Sequence, residues 1–206
     1  MKLVKKTFTL GPRDQRGVLQ ARILAAARSS FAESGSAGTT IRTIARSADV
    51  DPALIYHYFG SKEDLLDAAT EPPPRWLEAV AASWTTPTPH LGRALVEVML
   101  DSWSDPEIGP VLRATVLTAA HEPRIREKLR HVVERSLMGV SGLAVDEHER
   151  QKRSALIASQ IIGLALMRFI WQTEPLAGMD PDELLDAVAP NLQRYLTDDL
   201  CSPTPE

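Results

Sequence analysis

Between Thr39 and Leu66 the chain sets three short apolar-striped segments between cap residues, and this punctuation constrains the fold more than any other feature. Thr39 and Thr40 are N-cap residue types ahead of Ile41 to Ser47, and Asp51-Pro52 is a cap followed by a proline suited to the first helical position. Ser61-x-x-Asp64 reads as a capping box, with Asp in the place of Glu or Gln. At 100° per residue Ile41, Ile44, Ala45 and Ala48 share one side of the first segment, with Arg42, Thr43 and Arg46 opposite. In the second, Leu54, Ile55, Tyr58 and Phe59 fall within about 140° and leave Pro52, Ala53, Tyr56 and His57 outward. Helices this short are unstable alone, so they need a scaffold. Two of them joined by the turn Ala48-Asp49-Val50 meet the requirements of a helix-turn-helix.

The scaffold is legible upstream. Leu19, Ile23, Ala26, Ala27, Ser30 and Phe31 form one stripe of a helix over Gly17–Ser34 that Gly35 ends as its C-cap. Downstream of Pro72-Pro73-Pro74 the spacing predicts helices over Arg75–Trp84, Leu91–Trp103, Pro106–Ala120, Pro123–Val140, Glu147–Gln172 and Pro181–Asp199. Asp105-Pro106, Glu122-Pro123 and Asp180-Pro181 repeat one start signal, and Pro190 predicts a kink in the last helix. No run alternates as a half-buried strand requires, so the fold class is all-α. The expected division is a basic tail over 1–15, an N-terminal domain over 16–70, a C-terminal domain over 71–200 and a tail over 201–206.

Net charge is −4, yet it is unevenly spread. Residues 1–62 hold ten Lys and Arg against four acids, which is +6 and leaves −10 for the remainder. That asymmetry suggests an N-terminal module facing a polyanion and a body that does not. The single cysteine, Cys201, excludes a disulfide framework and a Cys-based zinc site, and fits a cytoplasmic location. Met1 to Leu10 has no signal-peptide core, and Ala155 to Trp171 carries Ser159, Gln160 and Arg168, so neither export nor a membrane span is expected.

The outward residues carry fitting chemistry. Small Pro52 and Ala53 permit close approach to base edges, Tyr56 and His57 supply hydrogen bonds, and Arg42 suits a phosphate or a bidentate guanine contact. Lys62 opens the fourth helix, where backbone amides already favour a phosphate. The competing reading makes these residues solvated helix charges and rim aromatics. Their coincidence on one face of a basic segment favours DNA.

Phe31-Ala32-Glu33-Ser34-Gly35, Thr39 to Ala45 (Thr-Thr-Ile-Arg-Thr-Ile-Ala) and Val50 to Leu66 (Val-Asp-Pro-Ala-Leu-Ile-Tyr-His-Tyr-Phe-Gly-Ser-Lys-Glu-Asp-Leu-Leu) together resemble the TetR family of bacterial transcriptional regulators. The resemblance covers residues 16–70. It implies a homodimer, a three-helix DNA-binding head, and a C-terminal helical domain that binds a small-molecule effector. It also implies phosphate contacts by Thr40, Tyr56, Tyr58 and Lys62, and base-edge positions for Arg42, Thr43, Pro52, Ala53 and His57. For Tyr58 the periodicity instead places the ring inward. The family usually has glycine where this chain has Asp49, a residue that tolerates a left-handed backbone at greater cost.

In the body, Ile161, Ile162, Leu164, Leu166, Met167, Phe169, Ile170 and Trp171 cover nearly the whole circumference of one helix. A monomer of this size rarely buries a helix so fully. A four-helix bundle with a symmetry mate is therefore expected, with Ile161, Leu164, Arg168, Leu185, Val188 and Leu192 at the interface. The family's effector cavity would involve Met99, Trp103, Leu117, His121 and Met138, with Trp76 and Trp84 close by, although such residues are more often plain core. Glu127, His131 and Glu134 at i, i+4 and i+7 suit a metal stripe, but Lys128, Arg130 and Arg135 beside them favour an ion-pair face, and no metal or cofactor is expected. GxSxG, HExxH, P-loop and dinucleotide fingerprints are absent, which argues against an enzyme. The expected function is a ligand-released repressor. An activator of the same fold and a non-specific architectural DNA binder are the alternatives, and the acidic body weighs against the latter.

Overall fold

A computed structural model describes the backbone of residues 12–137 and 146–200 and the side chains of 16–134 and 146–200. Met138 and Cys201 lie outside the described residues. Among the described residues every regular element is helical, and they form two units that divide between Glu71 and Pro72.

The first unit holds α1 (Pro12–Gly38), α2 (Ile41–Ala48), α3 (Pro52–Phe59) and α4 (Lys62–Ala69). Gly35 leaves helical geometry at φ 63° and ψ −179°, so the glycine ends the regular run of α1 in a kink, beyond which Ser36–Gly38 are helical again. A positive φ of this kind is what a residue without Cβ permits. Ile23, Ala27 and Phe31 of α1, Ile44 and Ala48 of α2, Ile55 of α3 and Leu65, Leu66 and Ala69 of α4 close one core. Burying each large aliphatic or aromatic side chain stabilises by about 1.5–3 kcal/mol, which is what holds helices of eight residues in place. Ser61 caps α4 by accepting from the Asp64 amide, but the Asp64 carboxylate accepts from the Ser61 hydroxyl and not from its backbone amide. Aspartate is one methylene shorter than the glutamate of a closed capping box.

The second unit runs α5 (Pro74–Ser83), a 3-10 turn (Thr88–His90), α6 (Leu91–Ser104), α7 (Ile108–Ala119), α8 (Pro123–Leu137), α9 (Glu147–Ala165) and α10 (Pro181–Thr197). Its main packing is α6 against α10. Leu91, Leu95, Val96, Met99, Leu100 and Trp103 meet Leu184, Leu185, Ala189, Leu192 and Leu196 in one cluster. Gly92 lets the two backbones touch, because a Cβ there would lie 2.6 Å from the Ala189 carbonyl oxygen. The Gly92 amide also donates to Gln193 Oε1 at 2.9 Å. Arg153 of α9 is buried and clips the end of α10, donating to the carbonyls of Tyr195 (2.8 Å) and Asp198 (2.7 Å).

Four expectations need correction. Helix α7 runs regularly from Ile108 and not from Pro106, although Asp105 makes the bonds of the expected cap: its carboxylate accepts from the Glu107 and Ile108 amides and its carbonyl from the Gly109 amide. The helix expected to reach Gln172 remains α only to Ala165 and continues as a π-turn over Leu166–Ile170, closed by the Trp171 amide on the Leu166 carbonyl. Pro190, where a kink is expected, lies inside α10, which runs on to Thr197. Leu185 and Leu192, expected at a dimer interface, are 3% and 0% exposed and belong to the chain's own core, so a second copy has nothing of them left to bury. Glu147–Ile170 is also long and apolar enough to cross a membrane by length and composition alone, contrary to the sequence reading. It packs on α6, α8 and α10 and contributes Ile157 and Ala165 to the core.

Candidate nucleic-acid interface

Helices α2 and α3 are held by their caps. Thr40 Oγ1 accepts from the Thr43 amide at 3.1 Å, and Asp51 Oδ1 accepts from the Ala53 amide at 2.7 Å with Pro52 at the first helical position. Between them the chain turns at Asp49, left-handed at φ 51° and ψ 55°. The Val50 amide donates to the Ala45 carbonyl (3.0 Å) and the Asp49 amide to the Arg46 carbonyl (3.2 Å), the paired bonds of a Schellman close. From α1, Arg22 donates to the Asp49 carbonyl at 3.0 Å and so fixes the turn against the scaffold. Sequence reading missed this role of Arg22, since a contact across 27 positions leaves no local signal. Arg28 is similar: it donates to the Ala69 carbonyl at the end of α4, and its burial lowers its pKa.

The outer surface then follows. Arg42, Thr43, Arg46, Ala53 and His57 are exposed, and Tyr56 is 53% exposed, high for an aromatic side chain. Among the described residues no ion pair engages Arg42 or Arg46, which leaves both guanidinium groups available to an anion. Pro52 is half-buried beside exposed Ala53 at the start of α3. Eight residues make α3 about 12 Å long, close to the width of the B-DNA major groove. Tyr58 is half-buried, and its ring meets that of His57 edge-on at 5.5 Å, so it stands between the inward and outward readings.

Two phosphate candidates already have protein partners. The hydroxyls of Thr40 and Thr43 share a 2.9 Å hydrogen bond, which uses one of their two protons and leaves one to donate outward. Lys62 is half-buried and donates to the Ser36 carbonyl at 2.5 Å, leaving two of its three protons.

In the second unit the expected effector residues separate. Met99 and Trp103 are core, and Trp103 stacks on Phe169 at 5.7 Å. Leu117 is half-buried and His121 exposed. Glu127, His131 and Glu134 lie on an ion-pair face in which Arg130 bonds both glutamates, and the hydrogen bond from Arg130 holds the Glu127 carboxyl below its ordinary pKa. No metal-ligating group of three occurs among the described residues. Of the expected interface residues, Ile161, Leu164, Arg168 and Val188 are half-buried, and Arg168 donates to the Leu176 carbonyl at 2.6 Å. Trp171 next to them is 64% exposed.

Comparison with known proteins is consistent with this surface. Residues 23–69 match the family described as bacterial regulatory proteins, tetR family, and residues 90–196 match the tetracyclin repressor-like C-terminal domain. The HTH-type transcriptional regulator BetI of Burkholderia thailandensis is 32% identical over 127 residues, 59% of this chain, and the match spans 65% of that relative's own length. BetI of Paraburkholderia xenovorans is 29% identical over 171 residues, covering 79% of this chain and 85% of the relative. A solved TetR-family regulator of Streptomyces coelicolor A3 is 31% identical with a TM-score of 0.63, covering 92% of this chain and 100% of that one. The chain belongs to the TetR family of DNA-binding transcriptional regulators.

Proposed function

We propose that the protein is a homodimeric repressor that leaves its operator when a small effector binds the second unit. The observation that carries this reading is the exposed set Arg42, Thr43, Arg46, Ala53, Tyr56 and His57, gathered on two capped helices of eight residues each. Arg42, Thr43, Pro52, Ala53 and His57 take base edges, while Thr40, Tyr56, Tyr58 and Lys62 take phosphates, each from the protons left by its internal bonds. The half-buried apolar face of Ile161, Leu164 and Val188 supports dimerisation through α9 and α10. Two reading heads related by a two-fold axis address half-sites about 34–36 Å apart on a near-palindrome. The effector acts by favouring the conformer whose heads are misplaced, a coupling of about 1–3 kcal/mol. The protein works in the cytoplasm, is not an enzyme, and acts on DNA without a cofactor.

Mobility shifts on promoter fragments over a range of salt test the DNA part. One fragment should bind far more tightly than the rest, and equal affinity for all would favour an architectural binder. Sedimentation of Leu164→Arg tests the dimer. Monomers are expected, and an intact dimer would refute the assigned interface.

A further inference from the structure

Among the described residues, buried hydroxyls follow one rule with one exception. Thr39, Thr70, Ser83, Ser102 and Thr115 each donate to a backbone carbonyl. Thr118, in the last turn of α7, is 0% exposed and its hydroxyl has no partner. The same holds for the buried indole Nε1 of Trp84, the residue that ends α5. A third buried donor without a hydrogen bond, Arg153 Nε, has the Glu149 carboxylate 3.0 Å away as an ion-pair partner. Leaving a buried donor with no partner at all costs about 1–3 kcal/mol, so the Trp84 and Thr118 groups call for a reason. Both sit on helices that share their packing partners, since α5 and α7 each contact α6 and α8. Around them are apolar residues of the core, with Trp76, Trp84 and Val116 packed on its edge.

We infer that Trp84 Nε1 and Thr118 Oγ1 are the polar contacts of a ligand site among α5 to α8, and that the ligand is neutral, mostly apolar and bears a carbonyl or ether oxygen. An indole N–H donates and never accepts, so its partner is an acceptor. The ligand carries no charge, because Arg153 is the only buried ionic side chain among the described residues and it is committed to Glu149 and two carbonyls. A buried carboxylate or ammonium without a counter-charge is strongly disfavoured. This deepens the effector reading and rests on it for its regulatory meaning. It also moves the polar anchors of the effector away from His121, which is exposed, to two residues that sequence spacing did not single out together.

The test titrates the full-length protein with acetophenone and benzophenone, and with the carbonyl-free counterparts ethylbenzene and diphenylmethane. The indole N–H signals are followed by NMR, with Trp84→Phe identifying its own resonance. The ketones should shift the Trp84 proton downfield and bind roughly tenfold more tightly than the hydrocarbons. Thr118→Val should weaken the ketones severalfold while its thermal midpoint stays level or rises, because an unpaired hydroxyl is replaced by a methyl of similar shape. A Trp84 proton unmoved by both ketones, equal binding of ketone and hydrocarbon, or a clear drop in the midpoint of Thr118→Val overturns the proposal. Release from DNA is scored separately. Ketones that shift Trp84 without loosening DNA would count against the effector reading and leave the site standing.

Discussion

Replacing Asp49 by glycine and, separately, by alanine isolates the backbone that sets α3 against α2. Asp49 lies at φ 51° and ψ 55°, a region that costs a residue with Cβ about 1–2 kcal/mol. Glycine avoids this but loses more conformational freedom on folding, about 0.5–1 kcal/mol. The difference leaves the glycine variant more stable than the alanine variant by roughly 1 kcal/mol. The three bonds at the turn involve only backbone groups of Asp49 and Val50, so both variants keep them. Both also remove the same negative charge, which cancels in the comparison. The assay is native-state hydrogen exchange of the Val50 amide in the full-length chain, which reports local opening. Exchange should be about fivefold faster in Asp49→Ala than in Asp49→Gly, and DNA affinity should fall only in the alanine variant. Equal exchange in the two, or faster exchange in the glycine variant, would refute the argument.

Gly92→Ala drives a Cβ to within 2.6 Å of the backbone of α10. Overpacking of about 1–3 kcal/mol, set against up to about 1 kcal/mol of helix propensity, should lower the thermal midpoint by several degrees. Arg153→Met leaves the Tyr195 and Asp198 carbonyls unpaired and should reduce the urea midpoint, with Arg153→Lys failing to restore it because a lysine cannot fork to both. Asp105 has a carboxyl held below its ordinary value, first by the Ile108 amide, then by the Glu107 amide and Arg75. A depressed folded-state value means that its stabilisation is full above about pH 4 and drains away as pH falls through the lowered value. Asp105→Asn should flatten that acid limb in pH-dependent melts, and an unchanged limb would remove Asp105 as its source.

Much of the first unit was legible because its signals are local. Cap residues at Thr40, Asp51 and Ser61, proline at 52 and the apolar stripe of α2 each act within a turn or two, and the structure uses each of them. The left-handed backbone at Asp49 was legible only through the family resemblance, which puts glycine there. What sequence reading missed is long-range. Arg22 on Asp49 and Lys62 on Ser36 depend on packing that no spacing encodes. In the second unit, helical periodicity found the helices but could not tell a face buried by the chain itself from one left for a partner. Leu185 and Leu192 were misassigned for that reason, while Ile161 and Leu164 retain partial exposure. Thr118 escaped because a threonine inside an apolar helix normally bonds its own backbone, and this one does not.

Selection of binding sites from a random DNA pool, run in parallel with wild type and His57→Ala, measures most directly whether the outer face of α3 reads sequence. Wild type should enrich a near-palindrome with half-sites about one helical turn apart, and His57→Ala should lose preference at one symmetric pair of positions while keeping the rest. A wild-type pool that stays random, or a variant that enriches the identical site, would contradict the account.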